Sequence, residues 1–327
     1  MKILEELRKC IPEVKENIEL KDYSTFKIGG KAKYFLISKN KKELKSAIKK
    51  AIELGINWKI LGGGSNTLIN SNGFDGLVIV FKNSAVKDDF VPIKLDEENY
   101  YVETRGDWPL FFLVNESAEN NLSGMEWAVG IPGTVGGAIN GNAGAFNQSI
   151  GDSIEEVEVL EIKNDFVFEK YFTKNDCDFS YRNSIFKKNN NLIILSAKIK
   201  LEKSDTKKIK EKIKENIERR SSKQPKGFSV GSIFKNYIGV VDKEIINQYP
   251  EIKTFQEKGS ISAGYLIEEC GLRGVSVGGA TISSEHANFI INNGNASSDD
   301  VWALIDLIKK QVKNKFKINL EEEIIIF

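Results

Sequence analysis

Two glycine-rich turns, about 70 residues apart, are the stretches of this chain whose residue types and spacing could do chemistry. The first reads Gly-Gly-Gly-Ser-Asn-Thr over residues 62–67, and the second spans residues 130–146. Glycine permits a positive φ and lets backbone N–H groups approach a ligand with no Cβ in the way. Because each turn lies next to an apolar, strand-like run, the pair predicts a cradle for a large phosphate-bearing cofactor.

Neither turn matches the common nucleotide-binding patterns. No Gly-Lys-Ser/Thr follows the glycines, and no GxGxxG opens a βαβ unit with a distant acid, which argues against P-loop kinases and the standard NAD fold. His286 is the only histidine and there is no CxxC pair. A Ser-His-Asp triad or a histidine-rich metal site would depend on that one residue, so we expect no catalytic metal.

The composition indicates an ordinary globular protein. The 327 residues are enough for two domains, and 47 basic residues nearly balance 46 acidic ones. That balance gives no support to nucleic-acid or anionic-membrane binding. No apolar run approaches the ~20 residues of a membrane span, and the N-terminus does not resemble a signal peptide. The three scattered cysteines, Cys10, Cys177 and Cys270, predict reduced thiols in a cytoplasmic protein and no disulfide framework. No obligatory protein partner is evident in the sequence.

The elements that must position the turns mix helices and strands. Apolar spacing predicts a helix over 41–54 ended by Gly55, and a buried strand over 58–61 that leads into the first turn. Further strands are predicted over 77–81, 100–104, 154–162 and 192–201, with a helix from Pro109 to about Asn120.

The second half begins with a shift in composition at Glu202. A charged helix over 203–222 is interpreted as a solvated connector. We therefore predict one domain over 1–202, divided into two subdomains near residue 82, and a second domain over 203–327. Helices follow over 263–270 and 299–316, the latter capped by Ser298, and a last strand covers 319–327.

Seven segments, in order, resemble one enzyme family, UDP-N-acetylmuramate dehydrogenase, also called UDP-N-acetylenolpyruvoylglucosamine reductase. The resemblance runs from Tyr23 to the C-terminus. Its segments are Tyr-Ser-Thr-Phe-Lys-Ile-Gly-Gly (23–30), the turn at 62–66, Gly-Ile-Pro-Gly (130–133), Phe-Ser-Tyr-Arg-Asn-Ser (179–184), Gly-Ser-Ile-Phe-Lys-Asn (231–236), Ala-Gly-Tyr-Leu-Ile-Glu (263–268) with Gly-Gly-Ala (278–280), and Leu-Glu-Glu-Glu (320–323).

The resemblance implies a fold and a reaction. The fold is α+β: a vanillyl-alcohol-oxidase-like (PCMH-type) FAD-binding domain of two subdomains, plus an α+β C-terminal substrate domain. In the reaction NADPH gives a hydride to FAD, and the flavin passes it to the enolpyruvyl ether of UDP-N-acetylglucosamine. The product is UDP-N-acetylmuramate, a precursor of peptidoglycan.

The resemblance also implies site residues. Arg182 matches the catalytic arginine, Ser232 the proton donor and Glu323 the essential glutamate. Each alone would more often be an ordinary surface or turn residue, and the functional interpretation depends on the matching motifs around it. The predicted FAD contacts are Gly62, Gly63, Gly64, Ser65, Asn66, Thr67, Gly130, Ile131, Pro132, Gly133, Thr134, Gly136, Ala138, Asn140 and Gly141; the predicted substrate contacts are Tyr181, Lys223, Asn236, Arg273 and His286.

Two details refine this prediction. FAD is expected to be non-covalent, because its half of the chain has no histidine and Cys10 and Cys177 lie outside both turns. The 50 residues from Arg182 to Ser232 resemble the shorter, second type of the enzyme, which lacks a loop that closes over the substrate.

Alternatives stay open at this point. The family usually has proline where this chain has Glu322, so Glu321 or Glu322 could be the true match. Other readings are an FAD oxidase of alcohols or sugars, and a catalytically silent protein that keeps the nucleotide-sugar pocket. The serine proton donor argues against the oxidase, which has no carbanion to protonate. The sequence does not distinguish NADPH from NADH.

Overall fold

The computed structural model describes residues 2–327, and the chain divides into two compact units. The first unit comprises the residues up to Ile18, Ala32–Gly63 and Phe74–Ser222; the second comprises Glu19–Lys31, Gly64–Gly73 and Lys223–Phe327. Two short N-terminal segments thus belong to the second unit. None of the helices in residues 2–327 has the length and apolar character that crossing a bilayer requires.

Within the described residues the helices are α1 (Lys2–Cys10), α2 (Lys41–Glu53), α3 (Leu110–Glu119), α4 (Val135–Asn140), α5 (Ile150–Ser153), α6 (Ile185–Lys188), α7 (Thr206–Ser221), α8 (Lys243–Gln248), α9 (Glu251–Glu257), α10 (Ala263–Glu269) and α11 (Ser298–Phe316). The strands are β1 (Lys15–Glu19), β2 (Lys31–Ile37), β3 (Trp58–Leu61), β4 (Thr67–Leu68), β5 (Phe74–Val80), β6 (Pro92–Lys94), β7 (Asn99–Arg105), β8 (Leu122–Ser123), β9 (Gly144–Ala145), β10 (Gln148–Ser149), β11 (Ile154–Lys163), β12 (Phe166–Thr173), β13 (Leu192–Lys203), β14 (Ser276–Val277), β15 (Ala280–Ile282), β16 (Ile290–Asn292) and β17 (Ile325–Ile326).

The first unit contains a two-stranded sheet, β10-β9, and two larger sheets. The smaller of these two has the order β1-β2-β5-β3, and its β2, β5 and β3 run parallel. Helix α2 begins at the cap Asn40, whose side chain accepts the Glu43 N–H, and it ends before Gly55 at φ +63°. Its fully buried Leu44 and Ile48 belong to the same apolar cluster as strand residues of this sheet. The apolar spacing of α2 therefore explains its position.

The larger sheet has the order β12-β11-β13-β7-β6, with β8 paired to β13. The pairs that β13 forms with β11 and β7 are antiparallel. Its core contains the buried Trp108 and Trp127, and α3 and α4 contribute apolar residues to the same cluster. This core fixes the helix that carries the second glycine turn.

The second unit has its own core around α11, which buries Val301, Leu304, Ile305 and Ile308. The cap of α11 is Ser297, one residue before the predicted Ser298. The Ser297 Oγ accepts the Asp300 N–H at 3.1 Å, and the Asp300 carboxylate accepts the Ser297 N–H at 2.9 Å. This reciprocal capping box explains why the helix begins one residue earlier than predicted.

Other predicted boundaries also shift. Pro109 is the N-cap of α3 and not its first helical residue. The predicted last strand over 319–327 is reduced to β17, which pairs in parallel with β4, plus one isolated bridge at Glu322. Strand structure needs a partner backbone, and β4 offers only two residues.

The compact units divide after Ser222, whereas the sequence predicted a boundary after residue 202. Helix α7 belongs to the first unit because Ile209 is buried and the Asn216 side chain donates to the Glu126 carbonyl oxygen at 3.0 Å. The charged helix is therefore docked on this unit along one face. What each unit binds stays a prediction.

We expect Asn216→Ala to lower the free energy of unfolding of the first unit by about 0.5–1.5 kcal/mol, because the Glu126 carbonyl loses one of its two donors and keeps only the Val129 N–H at 3.4 Å. Urea unfolding followed by circular dichroism measures the change. Lys214→Ala, at an exposed position of the same helix, is the matched control and should be neutral. Equal stability of the two variants would contradict the docking role of Asn216.

Candidate active site

The two glycine turns meet inside the first unit. A Cβ added at Gly63 would lie 2.5 Å from the Gly133 Cα, and one added at Gly62 would lie 2.9 Å from the Thr134 Oγ1. Real Cβ atoms do not come that close to backbone, so glycine at residue 63 is required by the contact between the turns. The structure thus brings together two segments that the sequence only placed about 70 residues apart.

The junction of the turns presents unused donors. Within the described chain, the backbone N–H groups of Gly62, Gly63 and Thr134 donate to no protein acceptor. Thr134 is only 2% exposed, and a buried amide without an acceptor is costly. The Thr134 Oγ1 already accepts the Gly137 N–H as the cap of α4. An oxygen-rich anion bound here would supply the missing acceptors, so these residues fit a dinucleotide phosphate.

The remainder of the first turn belongs to the second unit. A Cβ at Gly64 would lie 2.0 Å from the Tyr23 carbonyl oxygen, and the Gly64 carbonyl accepts the Thr25 N–H at 3.1 Å. Asn66 uses its side-chain amide to donate to the Glu323 carbonyl at 3.3 Å. Thr67 lies in β4. The Tyr-Ser-Thr-Phe motif therefore packs directly against the backbone of the turn at Gly64.

Some predicted FAD residues of the second turn have packing roles. A Cβ at Gly136 would lie 2.9 Å from the Gly106 carbonyl oxygen, and Ala138 is buried in the core. The Asn140 carbonyl accepts the Ser184 hydroxyl at 2.7 Å. These contacts hold α4 in place. The turn of Gly130, Ile131, Pro132 and Gly133 precedes this helix, and Gly141 follows it.

Arg182 occupies the third position of a tight turn. Ser180 and Asn183 exchange backbone hydrogen bonds of 3.1 and 3.0 Å, and Arg182 has φ +55°. A positive φ at a residue other than glycine is a strained conformation that clusters at functional sites. The guanidinium Nη2 donates to the Gly144 carbonyl at 2.7 Å, and the group lies 5.1 Å from the Tyr181 ring centroid. These two contacts hold the Arg182 guanidinium in one orientation.

Arg220 is a second guanidinium near Arg182 that the sequence did not single out. Its Nη2 donates to the Trp127 carbonyl at 3.2 Å, and it lies 5.5 Å from the Phe146 ring centroid. Its buried Nε has no hydrogen-bond partner in the described chain. Burial, and then the nearby Arg182 charge, lower the pKa of Arg220. Two close cations with an unused donor are suited to a carboxylate or phosphate.

Ser232, in the second unit, follows Gly231 at φ +82° and is half-buried. It forms an isolated antiparallel bridge with Phe289. On the other edge of the same segment, the Glu323 N–H donates to the Ile233 carbonyl at 2.8 Å. The backbones of the predicted proton donor and of the predicted glutamate are therefore neighbours.

The three consecutive glutamates have different surroundings. Glu321 forms an ion pair with Lys235, and Glu322 pairs with Lys309 at 2.8 Å. Glu321 and Glu322 are thus each committed to a lysine. Which of the three glutamates takes part in the reaction stays a prediction.

The predicted substrate contacts differ in availability. The Asn236 Oδ1 accepts the Ala263 N–H at 3.2 Å, and Arg273 donates to the Ser284 carbonyl and to Glu268. Lys223 is exposed, as is Tyr181. Burial lowers the pKa of His286, and its Nδ1 accepts the Asn288 N–H at 3.2 Å. The imidazole is therefore neutral near pH 7, with its proton on Nε2. No cluster of three or more potential metal-ligating side chains occurs among residues 2–327.

Comparison with known proteins first defines the class. The model of an FAD binding domain matches residues 32–164, so the N-terminal half belongs to the FAD-binding proteins. The model of the C-terminal domain of UDP-N-acetylenolpyruvoylglucosamine reductase matches residues 222–327.

The reductase of Caldicellulosiruptor saccharolyticus is 41% identical over 99% of this chain and 95% of that protein. The reductase of Prochlorococcus marinus is 36% identical, and the alignment covers 95% of this chain and 97% of the Prochlorococcus marinus protein. The chain therefore belongs to the UDP-N-acetylenolpyruvoylglucosamine reductase family, and it is an FAD-binding oxidoreductase.

A solved structure confirms the predicted fold class. The crystal structure of UDP-N-acetylenolpyruvylglucosamine reductase from Thermus caldophilus aligns with a TM-score of 0.71 and 30% sequence identity. The alignment covers 95% of this chain and 98% of the Thermus caldophilus chain. The expected α+β architecture, an FAD-binding domain followed by a second domain, is thus observed.

We expect Gly63→Ala to reduce the FAD content of the purified protein strongly, because the new Cβ forces the two turns apart at the unpaired amides. The ratio of flavin to protein absorbance measures the occupancy. Gly55→Ala is the control: it adds a side chain at the exposed end of α2, at φ +63°, where no atom lies within 4 Å. Gly55→Ala should lose some stability and keep its FAD, and equal loss of FAD in both variants would contradict the cradle.

Proposed function

We propose that this protein reduces UDP-N-acetylglucosamine-enolpyruvate to UDP-N-acetylmuramate with NADPH and a non-covalent FAD. The observation that carries the proposal is the match to reductases of this name along 99% of the chain. Arg182, Ser232 and Glu323 all lie in segments that resemble the family. Peptidoglycan precursors are made in the cytoplasm, and we place the protein there.

The interlocked turns would hold the FAD diphosphate through the amides of Gly62, Gly63 and Thr134. When bound, FAD supplies the hydride that NADPH provides. The protein itself has to bind the enolpyruvyl group, stabilise the charge that develops on it and deliver a proton.

Arg182 would bind the carboxylate of the enolpyruvyl group. Addition of a hydride to the terminal alkene carbon leaves negative charge on the other alkene carbon, and that charge spreads into the carboxylate. A guanidinium already fixed by Gly144 and Tyr181 stabilises the charge without having to reorganise. Arg220 adds a second positive charge close by, which suits either this carboxylate or a phosphate.

Ser232 would protonate the carbon that carries the charge. A serine hydroxyl is a weak acid, so the alkoxide it leaves needs stabilisation by its surroundings. Glu323, whose backbone is a neighbour of Ile233, is the residue we propose to hydrogen-bond the enolate through a protonated carboxyl group. In the second unit, neutral His286 can donate through Nε2 to an oxygen of the UDP-sugar. Tyr181, Lys223, Asn236 and Arg273 complete the proposed substrate contacts.

Isotope placement in the product tests the reaction directly. Turnover with NADPH in D2O should give UDP-N-acetylmuramate with one solvent deuterium on the lactyl carbon that bears the carboxylate, because that carbon takes the proton. The methyl carbon should carry the hydrogen that came as hydride. Absence of this product, with a protein that keeps FAD, would contradict the proposal.

We expect Ser232→Ala to slow reduction of the enolpyruvyl substrate by roughly 10²–10⁴-fold, the range for loss of a general acid, and to leave bleaching of the flavin by NADPH unchanged. Anaerobic stopped-flow absorbance separates the two steps. Ser276→Ala, at an exposed serine of the same unit, is the control. Equal slowing of both steps would show that Ser232 is not the proton donor.

We expect Arg220→Met to weaken binding of the anionic substrate by roughly 10–100-fold, because hydrogen bonds to charged groups contribute about 1.5–3 kcal/mol. Titration calorimetry with the substrate measures the Kd. Arg219→Met is the matched control, since Arg219 is the exposed neighbour on α7 and also lies beside Phe146, at 5.9 Å. An unchanged Kd for Arg220→Met would remove Arg220 from the site.

A further inference from the structure

The segment that carries Ser232 is held along both edges. On one side, the Lys235 N–H donates to the Glu321 carbonyl at 2.9 Å and the Glu323 N–H donates to the Ile233 carbonyl. On the other side, the Ile233 N–H donates to the Asn288 carbonyl at 2.9 Å. The segment around Ser232 is therefore the middle of three short extended stretches, none of them long enough to be stable as a strand.

Asn288 strengthens that second edge with its side chain. Its Oδ1 accepts the Phe234 N–H at 3.0 Å and its Nδ2 donates to the Phe234 carbonyl at 2.8 Å. The amide thus pairs with both backbone groups of Phe234, as a neighbouring strand would. Asn288 is only 4% exposed, so these hydrogen bonds are shielded from water.

The backbone N–H of Asn288 forms a further hydrogen bond, to the side chain of His286. It donates to the Nδ1 of His286 at 3.2 Å, which requires an unprotonated Nδ1 and leaves the proton on Nε2. The Ser283 hydroxyl oxygen accepts the N–H groups of Glu285 and His286, which fixes the loop before Asn288. One residue therefore connects the imidazole to the segment of Ser232.

We propose that Asn288 is a positioning residue for proton transfer from Ser232. The role rests on the proposed reductase function. A proton donor must stay within about 2.6–3.2 Å of its target, and a displacement of about 1 Å costs as much as 10²-fold in rate. Asn288 prevents that displacement by holding the backbone at Ile233 and Phe234.

Asn292 offers a matched comparison in the same unit. It is 3% exposed, its Nδ2 donates to the Phe26 carbonyl at 2.9 Å, and its Oδ1 accepts the N–H groups of Gly294 and Ala296. Its side chain is as buried and as fully hydrogen-bonded as that of Asn288, but it bonds to none of the residues 231–235. Loss of either side chain should cost similar stability.

The experiment compares Asn288→Ala with Asn292→Ala in the FAD-loaded protein by anaerobic stopped-flow. In Asn288→Ala, bleaching by NADPH should keep the wild-type rate, while recolouring by UDP-N-acetylglucosamine-enolpyruvate should slow by ~10²-fold. The recolouring step should also gain a solvent deuterium isotope effect, since proton transfer becomes limiting. Asn292→Ala should recolour at the wild-type rate. If Asn288→Ala folds poorly, Asn288→Ser, which keeps one polar atom, should show the same split at smaller size.

Hydrogen exchange measured by mass spectrometry on the substrate-free protein gives a second readout. The amides of 233–235 should exchange faster in Asn288→Ala and at the wild-type rate in Asn292→Ala. Wild-type recolouring, or equal slowing of both half-reactions, in Asn288→Ala would overturn the positioning role alone. A wild-type protein that never recolours with the substrate would overturn the proposed function, and this role with it.

Discussion

The close approach of Gly63 to Gly133 is the constraint on which the rest of the first unit depends. At 2.5 Å from a hypothetical Cβ to the Gly133 Cα, no side chain fits between the turns. Each turn has to be brought there by its own sheet: β3 delivers the first, and α4, packed on Gly106 and the core around Trp108, delivers the second. Two layers of the first unit thus converge on one cluster of unpaired amides, where a phosphate would complete the hydrogen bonding.

In the second unit, short extended stretches take the place of long strands. Ser232 and Glu323 lie on such stretches, and the backbone around them is held by the Asn288 side-chain amide and by hydrogen bonds between the stretches. A flexible loop would leave a weak acid such as serine free to drift, whereas hydrogen bonds at both edges restrict it. The strained φ of Arg182 serves the same purpose in the first unit, where the Gly144 carbonyl and the Tyr181 ring hold its charge in one place.

The sequence predicted the regular elements well and the irregular ones poorly. Helix α2 and its Gly55 end were predicted because apolar spacing and a helix stop are local signals. The last strand was wrong in extent because strand length depends on a partner more than 250 residues away, at β4. Arg220 was missed because it ends a charged helix whose polar residues look solvated, and only the docking of α7 buries its Nε. The family motifs supplied Arg182, Ser232 and Glu323, which local patterns alone would have left as ordinary polar residues.

The proposed function requires that the FAD-loaded protein be reduced by NADPH and reoxidised by the enolpyruvyl sugar. The most direct measurement is the absorbance spectrum of the purified protein through one anaerobic cycle, first with NADPH and then with UDP-N-acetylglucosamine-enolpyruvate. A yellow protein that bleaches with NADPH and recolours with the sugar is the predicted result. A protein that bleaches and recolours only on admission of oxygen, or one that cannot be loaded with FAD, would contradict the account.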